Sequence, residues 1–279
     1  MMIEAFAPLF RRLASPWQSA EGLTLIELAP HALTALLFIG LLGGCFGSFA
    51  NAAAMRLVRD ESPVLPPSRC RFCEKPLGWR ENLPLFGWLF LKGRCACAKF
   101  ALPARYVLVE WGFAALSVIL ALHLPWLIFI ILTLLNIIMV IALLTDSEAM
   151  VLHPPSLLAG SLVAFGAALF ITSWPVSWQD SLLGGVFGAG IIVVTNLIYK
   201  ITRGKNGFGQ GDIWLLGMIG ASFGALGAIV VFFTASFVGA AIGIALILAN
   251  KAQSGSKLPF GLFLSLVFLL YPAINMLLI

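Results

Sequence analysis

Eight apolar stretches run through this chain, and they restrict what it can fold into more than any other feature. Seven of them approach the roughly 20 residues that an α-helix needs to cross a bilayer. They cover residues 31–53, 106–123, 126–145, 156–173, 181–200, 226–249 and 258–278, and a shorter one covers 212–223. Only 10% of the residues are charged, far fewer than in ordinary soluble domains. The sequence therefore predicts an all-α polytopic membrane protein with about eight transmembrane helices.

A polar stretch at 56–105 is the one long interruption of this apolar pattern. It carries ten of the 17 Lys and Arg residues, and cytoplasmic loops retain positive charge. If it is cytoplasmic, alternation through eight spans places five further basic residues on the same side and only Arg11 and Arg12 outside. We expect four parts, which are an N-terminal segment at 1–30, a first transmembrane helix at 31–55, a cytoplasmic insertion at 56–105 and a transmembrane domain at 106–279.

The net charge of +5 follows from this distribution of basic residues. Positive charge beside a membrane span is attracted by anionic lipid at the inner leaflet. The charge therefore indicates membrane topology, and we expect membrane lipid rather than nucleic acid as its partner.

Two of the four aspartates reach the same membrane edge in this topology. Asp146 ends the third predicted span and Asp212 begins the sixth, whereas Asp60 and Asp180 fall in polar loops. Ionisable groups at membrane depth are costly and are functional candidates. Two carboxylates that meet tend to share one proton, so that one can accept a proton from water while the other polarises a carbonyl. The pair predicts aspartic protease chemistry.

The glycines around Asp212, in GQGD at 209–212, suit this chemistry. Gly209 and Gly211 have no Cβ, so an extended peptide could approach Asp212 closely. Acids are also favoured at helix N-termini. A helix cap is therefore an equally good interpretation of Asp212 from local sequence alone.

Four of the five cysteines form two close pairs inside the polar insertion. Cys70 and Cys73 form the first pair, and Cys95 and Cys97 form the second after 21 intervening residues. Two such pairs fit a tetrahedral structural zinc site, and a cytoplasmic location disfavours disulfides. We expect a small zinc-binding insertion, with free thiols as the alternative.

Glycines spaced four residues apart recur inside the predicted spans. Gly43 and Gly47 form one such pair, and Gly184 and Gly188 another. Small residues at this spacing let helix backbones approach closely within a membrane. The spacing predicts tight helix packing and does not specify an oligomeric state.

Taken in order, several segments resemble the prepilin peptidase family. GQGD matches the G-x-G-D signature of membrane aspartyl proteases, and LPFGLFL (258–264) is similar to a Pro-Phe-Gly segment of the family. The N-terminal half contributes a family-like opening stretch, cysteine region and exit, which are GSFANAAAMRL (47–57), SRCRFC (68–73), WRENLP (79–84) and KGRCACAKFALPARYVLVE (92–110).

The resemblance implies that Asp212 and Asp146 are the catalytic aspartates of an endopeptidase in the bacterial inner membrane. Its substrates would be type IV prepilins or type II secretion pseudopilins, cut after a glycine at the cytoplasmic face. The resemblance further implies N-methylation of the new N-terminus with S-adenosylmethionine as donor. No Rossmann-type glycine motif is present, so the donor site would be specific to the family.

The chain departs from the family pattern after Asp146. The family places a Pro-Asp pair seven residues after its first aspartate, whereas here Pro154 comes eight residues after Asp146 and is followed by Pro155. Glu148 is the alternative second acid. A non-enzymatic assembly or transport protein and a relative that only methylates are the alternative functions. GLTLIEL (22–28) resembles a prepilin cleavage region, but the topology places it outside, so we expect a chance match.

Overall fold

The computed structural model describes residues 32–65, 69, 76–78, 81, 83–95, 101–251, 253 and 258–277. Cys70, Cys73, Cys97 and the GLTLIEL segment lie outside these residues. Within them the chain forms eight helices and two isolated antiparallel bridges. The helices are α1 (Ala32–Leu57), α2 (Gly87–Phe90), α3 (Arg105–His123), α4 (Trp126–Ala149), α5 (Pro154–Phe170), α6 (Trp178–Arg203), α7 (Gln210–Leu248) and α8 (Phe260–Leu277).

The helices support the prediction of an all-α membrane protein. Five of those in the described part of the chain are long and apolar enough to cross a bilayer, judged by length and composition, namely α1, α3, α4, α6 and α7. Two shorter apolar helices, α5 and α8, coincide with the predicted spans at 156–173 and 258–278. The chain is a multi-pass membrane protein, and the number of eight spans stays a prediction.

Helix α7 is interrupted at Gly224, which separates the two predicted apolar stretches 212–223 and 226–249. Gly224 has φ 74° and ψ 178°, a backbone conformation essentially restricted to glycine. Leu216 and Ala228, which lie on either side of the break, both lie against Gly188 of α6. A straight helix would hold two residues twelve positions apart about 18 Å from each other. The chain therefore turns back at Gly224.

The first compact unit lies within residues 23–129 and is built on α1 and α3. The two helices approach closely because α1 presents glycines to α3. A Cβ added at Gly47 would lie 3.0 Å from the Cα of Glu110, and one added at Gly43 would lie 3.0 Å from the Cα of Ala114. The prediction of close packing at these glycines is confirmed. The segment between the helices contains α2 and both bridges.

The second unit lies within residues 130–279 and contains α5 to α8 and nearly all of α4. Its most extensive helix contact joins α6 to α7. Gly184 of α6 and Gly220 of α7 meet backbone to backbone, and a Cβ on either would collide with the carbonyl oxygen of the other. Ser181 Oγ donates to the Ala221 carbonyl oxygen at 2.7 Å across the same contact. This packing fixes the first arm of α7, at whose start Asp212 lies.

Candidate active site

Asp146 lies in the last turn of α4 and is 5% exposed. Its Oδ2 accepts a hydrogen bond from the backbone N–H of Leu262 at 2.8 Å, and the N–H of Gly261 also donates to the carboxylate. Both donors belong to the first turn of α8, where backbone N–H groups have no partner within the helix. Gly261 makes this approach possible, since a Cβ there would lie 3.0 Å from the carboxyl carbon of Asp146. The LPFGLFL segment thus supplies the backbone donors that hold Asp146.

Asp212 lies in the first turn of α7 and is 6% exposed. Its Oδ2 accepts from the backbone N–H of Gly209 at 2.9 Å, and its own N–H donates to the Gly209 carbonyl oxygen at 3.3 Å. This is the geometry of an acid that caps a helix. Asp212 is therefore a cap by its contacts, and it is also a buried carboxylate at the end of a membrane helix.

The structure brings Asp146 and Asp212 together. The two carboxylates are close enough to interact electrostatically, although 66 positions separate them in the chain. Glu148, the alternative second acid, is exposed. Asp180 is exposed too and accepts from Ser177 Oγ at the start of α6. Two carboxylates that interact in this way, both largely removed from water, can share one proton and divide the roles of general base and general acid.

Asn196 of α6 holds the loop that leads to Asp212. Its Oδ1 accepts from the N–H of Gly207 at 3.0 Å and from the N–H of Phe208 at 2.7 Å. Its Nδ2 donates to the Phe208 carbonyl oxygen at 3.1 Å. One side chain thereby fixes the two residues that precede Gly209, the donor to Asp212.

Three aromatic rings connect the segments whose backbone N–H groups hold the two aspartates. Phe208, from the loop before Asp212, packs against Phe260 at the start of α8 with ring centroids 4.7 Å apart. Phe232, from the second arm of α7, contacts both rings at 6.1 and 5.9 Å. Phe260 immediately precedes the donors to Asp146. The cluster therefore ties the position of one aspartate to that of the other.

The backbone face of Gly211, predicted to be open to substrate, is covered by a side chain of the same chain. A Cβ added at Gly211 would lie 2.6 Å from Leu152 Cβ, whereas one at Gly209 would meet nothing nearer than Asp212 Oδ2 at 3.4 Å. Leu152 belongs to the loop between α4 and α5. The next residue, His153, caps α5 by accepting from the Ser156 N–H at 3.3 Å, so it has a structural role.

A separate cavity of about 170 Å³ lies in the unit formed by residues 23–129. Glu110, which is buried, lines it, and its Oε2 accepts from the Leu85 N–H at 2.7 Å. Acidic, basic and aromatic side chains surround the same space, among them Glu61, Glu81, Arg56, Arg59, Trp88 and Tyr106. Cys95 is buried at its edge. The cavity therefore combines charges of both signs with flat aromatic surfaces.

Asn196 and Leu152 were not predicted as site residues from the sequence. Asn196 carried a usable signal, because a polar residue inside an apolar helix is a functional candidate. Leu152 carried none, since a leucine in an apolar chain is unremarkable in type and its position depends on how distant segments fold together.

The sequence comparisons agree with this arrangement of two units. Residues 41–124 match the Bacterial Peptidase A24 N-terminal domain, and residues 133–244 match the Type IV leader peptidase family. The chain is 33% identical over 268 residues to the prepilin leader peptidase/N-methyltransferase of Stutzerimonas stutzeri, which covers 86% of this chain and 90% of that protein. The chain belongs to the type IV leader peptidase family.

Two other members of the family show similar sequence identity to this chain. The prepilin leader peptidase/N-methyltransferase of Aeromonas salmonicida (strain A449) is 35% identical over 206 residues, with 73% of this chain and 69% of that protein covered. The protein of the same description from Pseudomonas aeruginosa is 32% identical over 267 residues, with 86% and 90% covered. No solved structure is significantly similar to the chain.

Proposed function

We propose that this member of the family is an aspartic endopeptidase that removes the leader of type IV prepilins or type II secretion pseudopilins. The meeting of Asp146 and Asp212, both nearly buried, carries the proposal. The ionised member takes a proton from water, whose oxygen bonds to the scissile carbonyl carbon. The protonated member gives its proton to the carbonyl oxygen. As the C–N bond then breaks, the newly ionised member takes a proton from a hydroxyl of the diol and the other member gives its proton to the leaving amine, so one proton again remains on the pair.

The membrane placement of the site follows the distribution of basic residues. Fifteen of the 17 Lys and Arg residues fall on one side if eight segments span the membrane. We propose that α5, α8 and both arms of α7 cross the membrane together with the four other long helices. The inserted segment and both aspartates then lie at the cytoplasmic face of the inner membrane. A substrate with a membrane helix and a cytoplasmic leader would present its scissile bond at this edge.

Cleavage by the purified protein tests the peptidase. The wild type in detergent is expected to cut a full-length prepilin once, after a glycine and before the apolar helix, with the product identified by intact mass. A preparation that binds the prepilin and never cuts it would favour the non-enzymatic assembly or transport role. A preparation that methylates a pre-cut substrate without cutting the full-length one would favour the methylation-only alternative.

We also propose that the cavity beside Glu110 takes S-adenosylmethionine. The groups present fit this donor, which carries an ammonium and a carboxylate together with an adenine ring. Glu110, Glu61 and Glu81 could hold the ammonium and the ribose hydroxyls, the arginines the carboxylate, and Trp88 or Tyr106 the base. When bound, the donor would supply the methyl group for the new N-terminus.

Glu110→Gln is expected to weaken donor binding about 10- to 100-fold, because a buried charged hydrogen bond is lost. The glutamine still offers an oxygen to the Leu85 N–H, so the α1–α3 unit should keep its fold. Equilibrium dialysis with labelled S-adenosylmethionine measures the change, and the exposed Glu148→Gln is the matched control. Equal donor binding by Glu110→Gln and wild type would place the donor elsewhere.

The paired cysteines are proposed to bind one structural zinc ion. The antiparallel bridge between Arg69 and Pro76 encloses, in sequence, Cys70 and Cys73. The bridge between Arg94 and Ala101 encloses Cys95 and Cys97 in the same way. Two cysteine pairs at short spacing are the usual way to present four thiolates to a tetrahedral ion. The structure describes the residues of both bridges and, of the four paired cysteines, Cys95 alone.

Metal analysis of the purified protein is expected to give about one zinc per chain. Cys95→Ser should lose most of it, because a hydroxyl is a much poorer zinc ligand than a thiolate. Cys45→Ser is the matched control, since Cys45 lies exposed on α1. Zinc-free wild type with titratable thiols would instead support the free-thiol alternative.

A further inference from the structure

Leu152 lies against both glycines that flank the candidate active site. A Cβ added at Gly211 would lie 2.6 Å from Leu152 Cβ and 3.0 Å from its Cδ1. A Cβ added at Gly261 would lie 3.1 Å from the same Cδ1 and 3.0 Å from Asp146 Oδ2. Gly211 is the residue before Asp212, and Gly261 donates to Asp146. A single leucine therefore fills the side-chain space beside two glycines, one that precedes Asp212 in the chain and one that donates to Asp146.

The backbone around Leu152 is fixed at both ends. Met150 closes α4 with a positive φ of 53°, and its N–H donates to the Asp146 carbonyl oxygen at 2.9 Å. His153 begins α5, and its carbonyl oxygen accepts from Ser156 Oγ at 2.8 Å. A loop of this kind, held between two helix ends, has little freedom to swing away. Leu152 therefore forms a wall of the site rather than a lid.

We infer that Leu152 determines which residue is accepted next to the scissile bond. This inference rests on the proposed peptidase function. The side chain of a substrate residue placed between the two carboxylates would need the space that Leu152 occupies. A substrate residue without a side chain, glycine, can bring its backbone to both aspartates. Leu152 thus selects glycine on the leader side of the bond, and the residue on the other side is left unrestricted by it.

Cleavage of matched substrates tests this role. Prepilins with Gly, Ala or Val before the scissile bond are compared by kcat/KM, separately resolved into kcat and KM. The wild type should prefer Gly strongly, and Leu152→Ala should reduce the preference for Gly over Ala by about 10-fold or more, as expected when a pocket gains room for a methyl group. Leu152→Met, which keeps the volume, should retain the preference. Val151→Ala, an exposed neighbour, is the matched control.

A second substrate series varies the residue after the bond, and Leu152→Ala should leave that preference unchanged. An unaltered Gly preference in Leu152→Ala would overturn the inference, as would equal acceleration of all substrates, which a displaced lid would produce. If Leu152→Ala fails to fold, Leu152→Val creates a smaller space in the same place and decides the question. A wild type that cuts no glycine substrate contradicts the peptidase proposal itself, so the two failures are distinguishable.

Discussion

Asp212→Asn is expected to slow leader cleavage by orders of magnitude, about 10²- to 10⁴-fold, while the protein keeps its fold. The asparagine Oδ1 can still accept from the Gly209 N–H, as Asp212 Oδ2 does at 2.9 Å, so the cap at the start of α7 survives. What is lost is the group that can gain and release a proton. General acid–base catalysis contributes about 10²- to 10⁴-fold to a rate, and kcat should fall by that amount in a detergent assay with purified prepilin.

Asp146→Asn should give a loss of similar size for a parallel reason. Its side chain can still accept from the Leu262 N–H, the contact that Asp146 makes at 2.8 Å. The double variant should be no worse than either single one, because two residues that act as a unit are not additive. Melting temperature in detergent checks that both variants fold.

Two other acids provide the controls for these variants. Asp180→Asn alters an exposed acid in the first turn of α6 that accepts from Ser177 Oγ, and Glu148→Gln alters an exposed carboxylate two residues beyond Asp146. Both should cleave at the wild-type rate. Full activity of Asp212→Asn would show that Asp212 only caps its helix, and loss of activity in Glu148→Gln together with activity in Asp146→Asn would move the second acid to Glu148.

Local pattern in the sequence was sufficient to single out Asp146 and Asp212 as candidates, although it left a helix cap as an equally good interpretation of Asp212. The scarcity of carboxylates in an apolar chain singled out Asp146 and Asp212, and alternation of spans placed them at one edge. The structure adds that each acid rests on backbone N–H groups of a helix start. For Asp146 these groups come from α8, more than 110 positions later. No local pattern reports a partner at that separation, which is why LPFGLFL carried meaning only through family resemblance.

The side chains that support the site were harder to predict. Asn196 acts through three hydrogen bonds to a loop, and this requires α6 and α7 to be packed already. Leu152 differs from its many apolar neighbours only in where the chain folds it. By contrast, the break at Gly224 was visible as a gap between two apolar stretches, because a change of chain direction needs a residue that tolerates positive φ. Sequence thus predicts elements and chemistry better than it predicts contacts.

Gly220→Ala is expected to destabilise the protein strongly, because the new methyl group would collide with the Gly184 carbonyl oxygen of α6. Backbone atoms cannot rotate away as a flexible side chain can, so α6 and α7 must separate. Overpacking of this kind costs about 1–3 kcal/mol, which corresponds to a fall of roughly 2–12 °C in melting temperature at about 2–4 °C per kcal/mol. Gly184→Ala should behave alike, since its methyl group would meet the Gly220 carbonyl oxygen.

Gly190→Ala supplies the matched control on α6, because a Cβ there meets nothing within 4 Å. Alanine is the better helix former by about 0.5–1 kcal/mol, so this variant should melt at the wild-type temperature or slightly above it.

Cleavage activity extends the comparison, since Gly220 lies about two turns from Asp212 on the same arm of α7 and Asn196 lies on α6. Separation of the two helices would break the hydrogen bonds by which Asn196 holds the loop before Asp212. The cleavage rate should therefore fall even at temperatures at which the protein is still folded. A Gly220→Ala protein that melts and cleaves like wild type would show that the α6–α7 backbone contact neither stabilises the fold nor positions the aspartate.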